Sequence, residues 1–89
     1  MVFRTPDWIP LERALMREYG EVAREAASAF WFVGVVDGPD DVGELRLYEH
    51  SSTRRRLVLD MEGRAYRQHA DLHHFSPVPL SDALVDALT

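Results

Sequence analysis

The chain has 89 residues, enough for one domain, and no cysteine, which excludes a disulfide framework, cysteine-ligated zinc and thiol catalysis. Its hydrophobic fraction of 46% is that of a globular protein, and its net charge of −5 argues against a general nucleic-acid coat protein. No apolar run approaches the roughly 20 residues of a membrane span, and the first residues lack the apolar core of a signal peptide. We therefore expect residues 1–89 to form a single α+β domain that is cytoplasmic and does not contact a membrane.

The first third of the chain predicts a helix followed by a buried strand. Apolar residues recur at intervals of three and four from Leu11 to Phe30, which defines one helical stripe. Gly20 interrupts this stripe and either bends the helix or divides it in two. The run from Trp31 to Val36 is short, continuous and rich in β-branched and aromatic residues, which is typical of a central strand buried on both faces.

The remainder predicts three more strands and a short helix. Alternating strands are expected at 44–50, 54–60 and 63–69, and the last helix at 82–88 after a Pro-bounded loop at 70–79. Short connections favour pairing of consecutive strands. The order α-β-β-β-β-α therefore predicts a two-layer α+β sandwich with an N-terminal helix, a four-stranded antiparallel meander and a short C-terminal helix.

Alternation also assigns side chains to the two faces of this sheet. The side chains expected against the helices are Leu45, Leu47, Leu57 and Leu59, and those expected on the opposite face are Arg46, Tyr48, Arg56 and Val58. Burying Arg67 would be costly, so Tyr66 is expected to point inward and Arg67 to join the outward face. Because adjacent residues of a strand face opposite sides, either Trp31 or Phe32 should lie outside the helix layer, where it would mark an interface.

Positive charge is concentrated in the strands. Six of the ten arginines, but only three of the fifteen acidic residues, lie within residues 45–69. Such segregation is typical of a surface that meets an anionic partner. We expect a small non-catalytic protein-interaction module or stoichiometric inhibitor, forming a homodimer and binding an acidic partner surface. The expected contact residues are Arg46, Tyr48, Arg54, Arg55, Arg56 and Arg67.

Three other interpretations stay open on the sequence alone. The same arginines with Tyr48 could hold a single-stranded nucleic acid or a nucleotide, with bases stacked on the tyrosine. The face could also be solvated with no partner, as antiparallel sheets often are. The third is an enzyme or metalloprotein using histidines, but the sequence shows no catalytic motif, and no cofactor or metal is expected. Those histidines are His50, His69, His73 and His74.

Overall fold

The computed structural model describes residues 6–39, 42–69 and 74–89 of the chain. Its helices are α1 (Ile9–Tyr19), α2 (Ala23–Ala27) and α3 (Leu80–Leu88). Its strands are β1 (Phe30–Asp37), β2 (Glu44–His50), β3 (Arg56–Asp60), β4 (Ala65–Gln68) and β5 (Phe75–Val78). The predicted α+β fold, with an N-terminal helix, an antiparallel sheet and a C-terminal helix, is confirmed.

Gly20 divides the predicted first helix. α1 ends at Tyr19, and Gly20 adopts a φ of 60°, which is the left-handed region that glycine enters without a steric penalty. A 3₁₀ turn, Gly20–Val22, then leads into α2. The guanidinium of Arg17, near the end of α1, donates to the backbone carbonyls of Glu62 and Gly63, in the turn after β3.

The sheet has five antiparallel strands in the order β1-β2-β3-β4-β5, one strand more than predicted. The extra strand, β5, falls in the segment that its prolines had assigned to a loop. Pro77 is accommodated because β5 is an edge strand, where a missing N–H costs no ladder hydrogen bond. The other edge is β1, so the prediction of a central strand at residues 31–36 is wrong. Its continuous apolar sequence reflects an exposed edge rather than burial on both faces.

The strand register reverses the predicted facing of β2. Tyr48 lies opposite Leu57, and Arg46 lies opposite Leu59, so these four side chains share one face. That face is covered by the helices, because Tyr48, Leu57 and Leu59 belong to the cluster that includes Leu11 and Leu84. Alternation tells which residues share a face but not which face is covered, and here the larger Tyr48 takes the place predicted for the leucines.

A second apolar cluster lies on the face away from the helices. It consists of Leu45, Leu47, Val58, Tyr66 and Phe75, with Val36 and Val42 packed against it. Tyr66 therefore faces away from the helices, contrary to the prediction, and is nevertheless buried. Arg67 instead faces α3. Both faces of the sheet thus carry core residues. No helix within the described residues is long and apolar enough to span a membrane.

Candidate partner-binding site

Two of the six predicted contact residues are buried and belong to the core of the fold. Tyr48 is fully buried, and its hydroxyl donates to the backbone carbonyl of Asp7 at 2.5 Å. Burial raises the pKa of its phenol far above the usual range. Arg46 is 8% exposed, with its guanidinium 3.3 Å from Glu44 and 3.6 Å from Asp7. The prediction that both lie on an open face is wrong. Through Asp7 they connect the N-terminal 3₁₀ turn, Pro6–Trp8, to β2.

Asp60 and Arg64 stabilise the turn between β3 and β4. The Asp60 carboxylate is 2% exposed and accepts hydrogen bonds from the backbone N–H groups of Glu62 and Arg64, from Arg64 Nε at 2.8 Å and from the Tyr66 hydroxyl. Burial alone would raise the pKa of Asp60, but these donors together hold that pKa below its usual value. Arg64 therefore stabilises the turn, and we do not count it among the candidate contact residues.

Arg54 and Trp31 form an exposed pair at the end of the sheet where β2 joins β3. The Arg54 guanidinium carbon lies 4.8 Å from the centre of the Trp31 ring, and Arg54 Nη1 lies 3.3 Å from the Glu49 carboxylate. Trp31 is 48% exposed, whereas Phe32 packs against the helix-side core. The expectation that one of these two aromatic residues lies outside is confirmed. Arg54 also adopts a φ of 62°, which is uncommon for a residue other than glycine.

Arg56 connects this pair to a cleft between β3 and β4. Trp31, Glu49 and Arg56 lie side by side across β1, β2 and β3. The β3–β4 ladder has only two register pairs and ends at Val58–Tyr66, although β3 continues to Arg56 on one side and β4 to Gln68 on the other. The two strands separate there and leave a cleft of about 230 Å³.

Arg56 and Arg67 line this cleft from opposite faces of the sheet. Arg56 belongs to the open face with Val58, and Arg67 to the helix face, where its guanidinium lies 3.7 Å from Asp86 of α3. Both arginines are exposed. A cleft lined by two guanidinium groups can bind a carboxylate, whose oxygens accept charge-assisted hydrogen bonds from the arginine N–H groups. Arg55 is exposed in the connection that precedes β3, beside these groups in the chain.

The histidines are held by contacts within the fold. His50 Nδ1 accepts hydrogen bonds from the backbone N–H groups of Ser52 and Thr53, which places the ring proton on Nε2. His69 Nε2 lies 2.8 Å from the Ser76 hydroxyl, and the His69 and His74 rings are 5.0 Å apart. His73 lies outside the described residues. Among the residues that are described, no three histidine or acidic side chains are placed to hold a metal ion.

The structure thus gathers the exposed part of the predicted site at one end of the sheet. We call this surface the arginine end; it comprises Trp31, Arg54, Arg55, Arg56 and Arg67. Trp31 was not among the predicted contact residues, although the sequence predicted that either Trp31 or Phe32 would mark an interface; alternation alone did not tell which of the two is exposed. The cleft was missed because strand separation follows from the extent of pairing, which alternation does not reveal. Comparison of the chain with protein-family models, curated proteins and solved structures gave no significant match.

Proposed function

We propose that this chain is a small, non-catalytic protein-interaction module that binds an acidic segment of another protein at the arginine end. The observation that carries the proposal is that Arg56 and Arg67 both line one cleft where β3 and β4 separate. A carboxylate of the partner would occupy this cleft between the two guanidinium groups. Neighbouring apolar side chains of the partner would pack on Trp31, since exposed aromatic and arginine side chains are favoured anchors at interfaces.

The remaining arginines suit a surface that is wider than one carboxylate. Arg54 is paired with Glu49, but its side chain is 66% exposed, and the surface ion pair is weak in water. Arg67 and Asp86 form a similarly exposed pair at 3.7 Å. A partner carboxylate can therefore exchange with Glu49 or Asp86 at low cost. The guanidinium groups would be oriented by these acids before binding and released to the partner on contact.

Nucleic acid remains the alternative function, and the burial of Tyr48 weighs against it. Stacking of bases requires exposed aromatic faces. Among the described residues of the arginine end, Trp31 is the one aromatic side chain, and the Arg54 guanidinium already lies over its ring. The net charge of −5 also opposes a polyanion. A protein carboxylate requires neither a stacking platform nor a basic molecule.

The test is binding of fluorescein-labelled extended peptides that carry one to three Asp or Glu residues among apolar residues. We expect Arg56→Gln with Arg67→Gln to weaken binding at least tenfold, equivalent to about 1.4 kcal/mol. Arg24→Gln is the control for an exposed arginine elsewhere, because Arg24 belongs to α2 and does not line the cleft. Equal affinities for the double variant, the control and the unmodified chain would refute the proposal.

The same experiment separates the two functions. A labelled oligothymidine is titrated in parallel at several salt concentrations. Affinity for DNA that exceeds affinity for the peptides, and that falls steeply with salt, would favour nucleic acid. Arg46 is unsuitable as a probe of this surface, since a change at a buried guanidinium paired with two acids would disturb the fold itself.

A further inference from the structure

A groove on the helix layer forms a second candidate surface, separate from the arginine end. It has a volume of about 460 Å³ and lies between the α1–α2 segment and α3. One wall is formed by a stripe of α1–α2 side chains, the other by α3, and Phe30 and His50 contribute from the sheet. The α1–α2 stripe comprises Leu15, Tyr19, Val22, Glu25, Ala26 and Ala29, and the α3 residues are Leu84 and Leu88.

Large apolar side chains at this groove are exposed to water. Tyr19 is 38% exposed, Val22 50% and Leu88 43%. Eight large hydrophobic residues are exposed in the described part of the chain, and these are three of them. Val85, another of the eight, follows Leu84 on α3. A contiguous exposed apolar surface of this kind marks an interaction site rather than ordinary surface composition.

The shape of the groove favours an elongated occupant. The α1–α2 stripe spans residues 15–29, from the second half of α1 through the 3₁₀ turn and α2 to the turn that follows, so it is longer than either helix alone. Its successive members are three or four residues apart, except for the adjacent Glu25 and Ala26. Amphipathic helices bind to such grooves through apolar side chains at the same spacing. A helix in this position would extend the helical layer that α1, α2 and α3 already form on the sheet.

The charges around the groove specify the flanks of that helix. Glu25 is the one charged residue among the groove-lining residues described, and Glu18 and Glu21 are exposed on the same segment. The nearby arginines are directed elsewhere. Arg13 and Arg17 donate to backbone carbonyls of the β3–β4 turn, and Arg24 of α2 lines a separate hollow with Glu12 and Met16. α3 contains no basic residue and two acidic residues, of which Asp86 pairs with Arg67 on the cleft side. The groove and the α1–α2 segment beside it therefore present more acidic than basic side chains.

We propose that the groove binds an amphipathic helix of a partner protein, with apolar residues inserted between α1–α2 and α3 and lysine or arginine residues along its flank. The basic residues pair with Glu25 and the adjacent acids of the α1–α2 segment. His50 adds one hydrogen-bond donor from the sheet, because its Nδ1 is occupied by two backbone N–H groups and its proton is on Nε2. The groove and the cleft of the arginine end have no lining residue in common, and binding at the groove does not require the function proposed for the arginine end.

The probe for this proposal is a 15-residue peptide with leucine at helical spacing and lysine on its flanks, compared with the same peptide carrying glutamate in place of lysine. Binding to the ¹⁵N-labelled full chain is followed by NMR. We expect saturable binding of the lysine peptide at about 100 µM or tighter, with shifts at groove residues. Val22→Glu should weaken it at least tenfold. Val33→Glu, at an exposed valine of β1 outside the groove, should leave it unchanged.

A charge exchange tests the electrostatic part. Glu25→Lys should weaken binding of the lysine peptide and strengthen that of the glutamate peptide, whereas Asp37→Lys, with the same change in net charge on β1, should alter neither preference. If Glu25→Lys and Asp37→Lys weakened binding of the lysine peptide equally, the effect would come from net charge alone, and the proposal would be overturned. Absence of binding would also overturn it, and so would tighter groove binding of dodecylamine or decanoate that the peptide does not displace, since the occupant would then be a small amphiphile.

Discussion

Replacing Asp60 tests whether one buried carboxylate holds the β3–β4 turn. Asp60→Ala removes the acceptor of four hydrogen bonds, two from backbone N–H groups, one from Arg64 Nε and one from the Tyr66 hydroxyl. The turn donors and the exposed guanidinium can hydrate after the change, but the Tyr66 hydroxyl is buried and loses its partner. A hydrogen bond to a charged group contributes about 1.5–3 kcal/mol, and a buried donor left without a partner costs about 1–3 kcal/mol, so we expect a loss of about 3 kcal/mol.

The measurement is urea unfolding followed by tryptophan fluorescence, with thermal unfolding as a second readout. For a domain of this size, 3 kcal/mol corresponds to a fall in Tm of about 12–24 °C. The dependence of the unfolding free energy on urea should not change, because the exposed surface is the same. Asp60→Asn keeps an acceptor for the backbone donors and should lose less. Asp37→Asn, at an exposed strand end, is the control and should stay within about 0.5 kcal/mol. A loss below about 1 kcal/mol for Asp60→Ala would refute the reasoning.

The pH dependence gives an independent check with a definite sign. The folded-state pKa of Asp60 is lowered, so its contribution is present above the unfolded-state pKa of about 3.9 and is lost as pH falls through the folded value. The difference in unfolding free energy between the unmodified chain and Asp60→Asn should therefore shrink on acidification below about pH 4. A difference that stays constant or grows between pH 6 and pH 3 would contradict the assigned role of the carboxylate.

Three further predictions concern the backbone, a turn and the sheet edge. Gly63→Ala should destabilise the chain more than Gly20→Ala by about 1–3 kcal/mol. Both glycines have positive φ, but a Cβ at Gly63 would lie 3.1–3.3 Å from atoms of α1, whereas a Cβ at Gly20 would meet no atom within 4 Å. Equal losses of unfolding free energy in denaturant would show that α1 can shift to make room for the methyl group. The variant His50→Asn should have an unfolding free energy about 1 kcal/mol higher than His50→Ala, because the asparagine side-chain oxygen can accept the two hydrogen bonds that Nδ1 of His50 accepts. A lower value for His50→Asn would contradict the role of His50 as the acceptor in this turn. The predicted homodimer would pair two copies of the edge strand β1, so light scattering should give about twice 10.2 kDa for the chain and the single-chain mass for Val35→Lys; a single-chain mass for both at all concentrations would exclude the dimer.

The order of elements could be predicted from the sequence because most of them show a regular spacing of apolar residues or end at a residue that interrupts the helix or strand. The stripe in α1 and the break at Gly20 are local features, and the structure has both. β5 escaped prediction since two prolines in a short segment resemble a loop. An edge position, which depends on strand order rather than on the segment itself, makes the proline tolerable.

The facing of β2 and the location of the site could not be derived in the same way. Leu45 and Leu47 alternate with Arg46 and Tyr48, and the leucines were assigned to the helix side because leucine is the more apolar residue. The structure buries both sets, since the sheet carries a core on each face. Arg46 and Tyr48 are consequently structural, whereas Arg56 and Arg67 line a common cleft because the β3–β4 ladder ends early. Both outcomes depend on long-range register.

Helix α3 borders both surfaces that we propose to be occupied. Its Leu84 and Leu88 line the groove, while its Ala83 and Asp86 line the cleft on the other side of the same nine residues. The end of α3 also contacts the strands on either side of the cleft. The hydroxyl of Thr53, in the connection before β3, donates to the Ala87 carbonyl, and Asp86 pairs with Arg67 of β4. A partner that shifts or rigidifies α3 from the groove would therefore change the affinity of the cleft, and thermodynamic linkage requires the reciprocal effect. Occupancy of the two surfaces would then be coupled, positively or negatively, through a single helix.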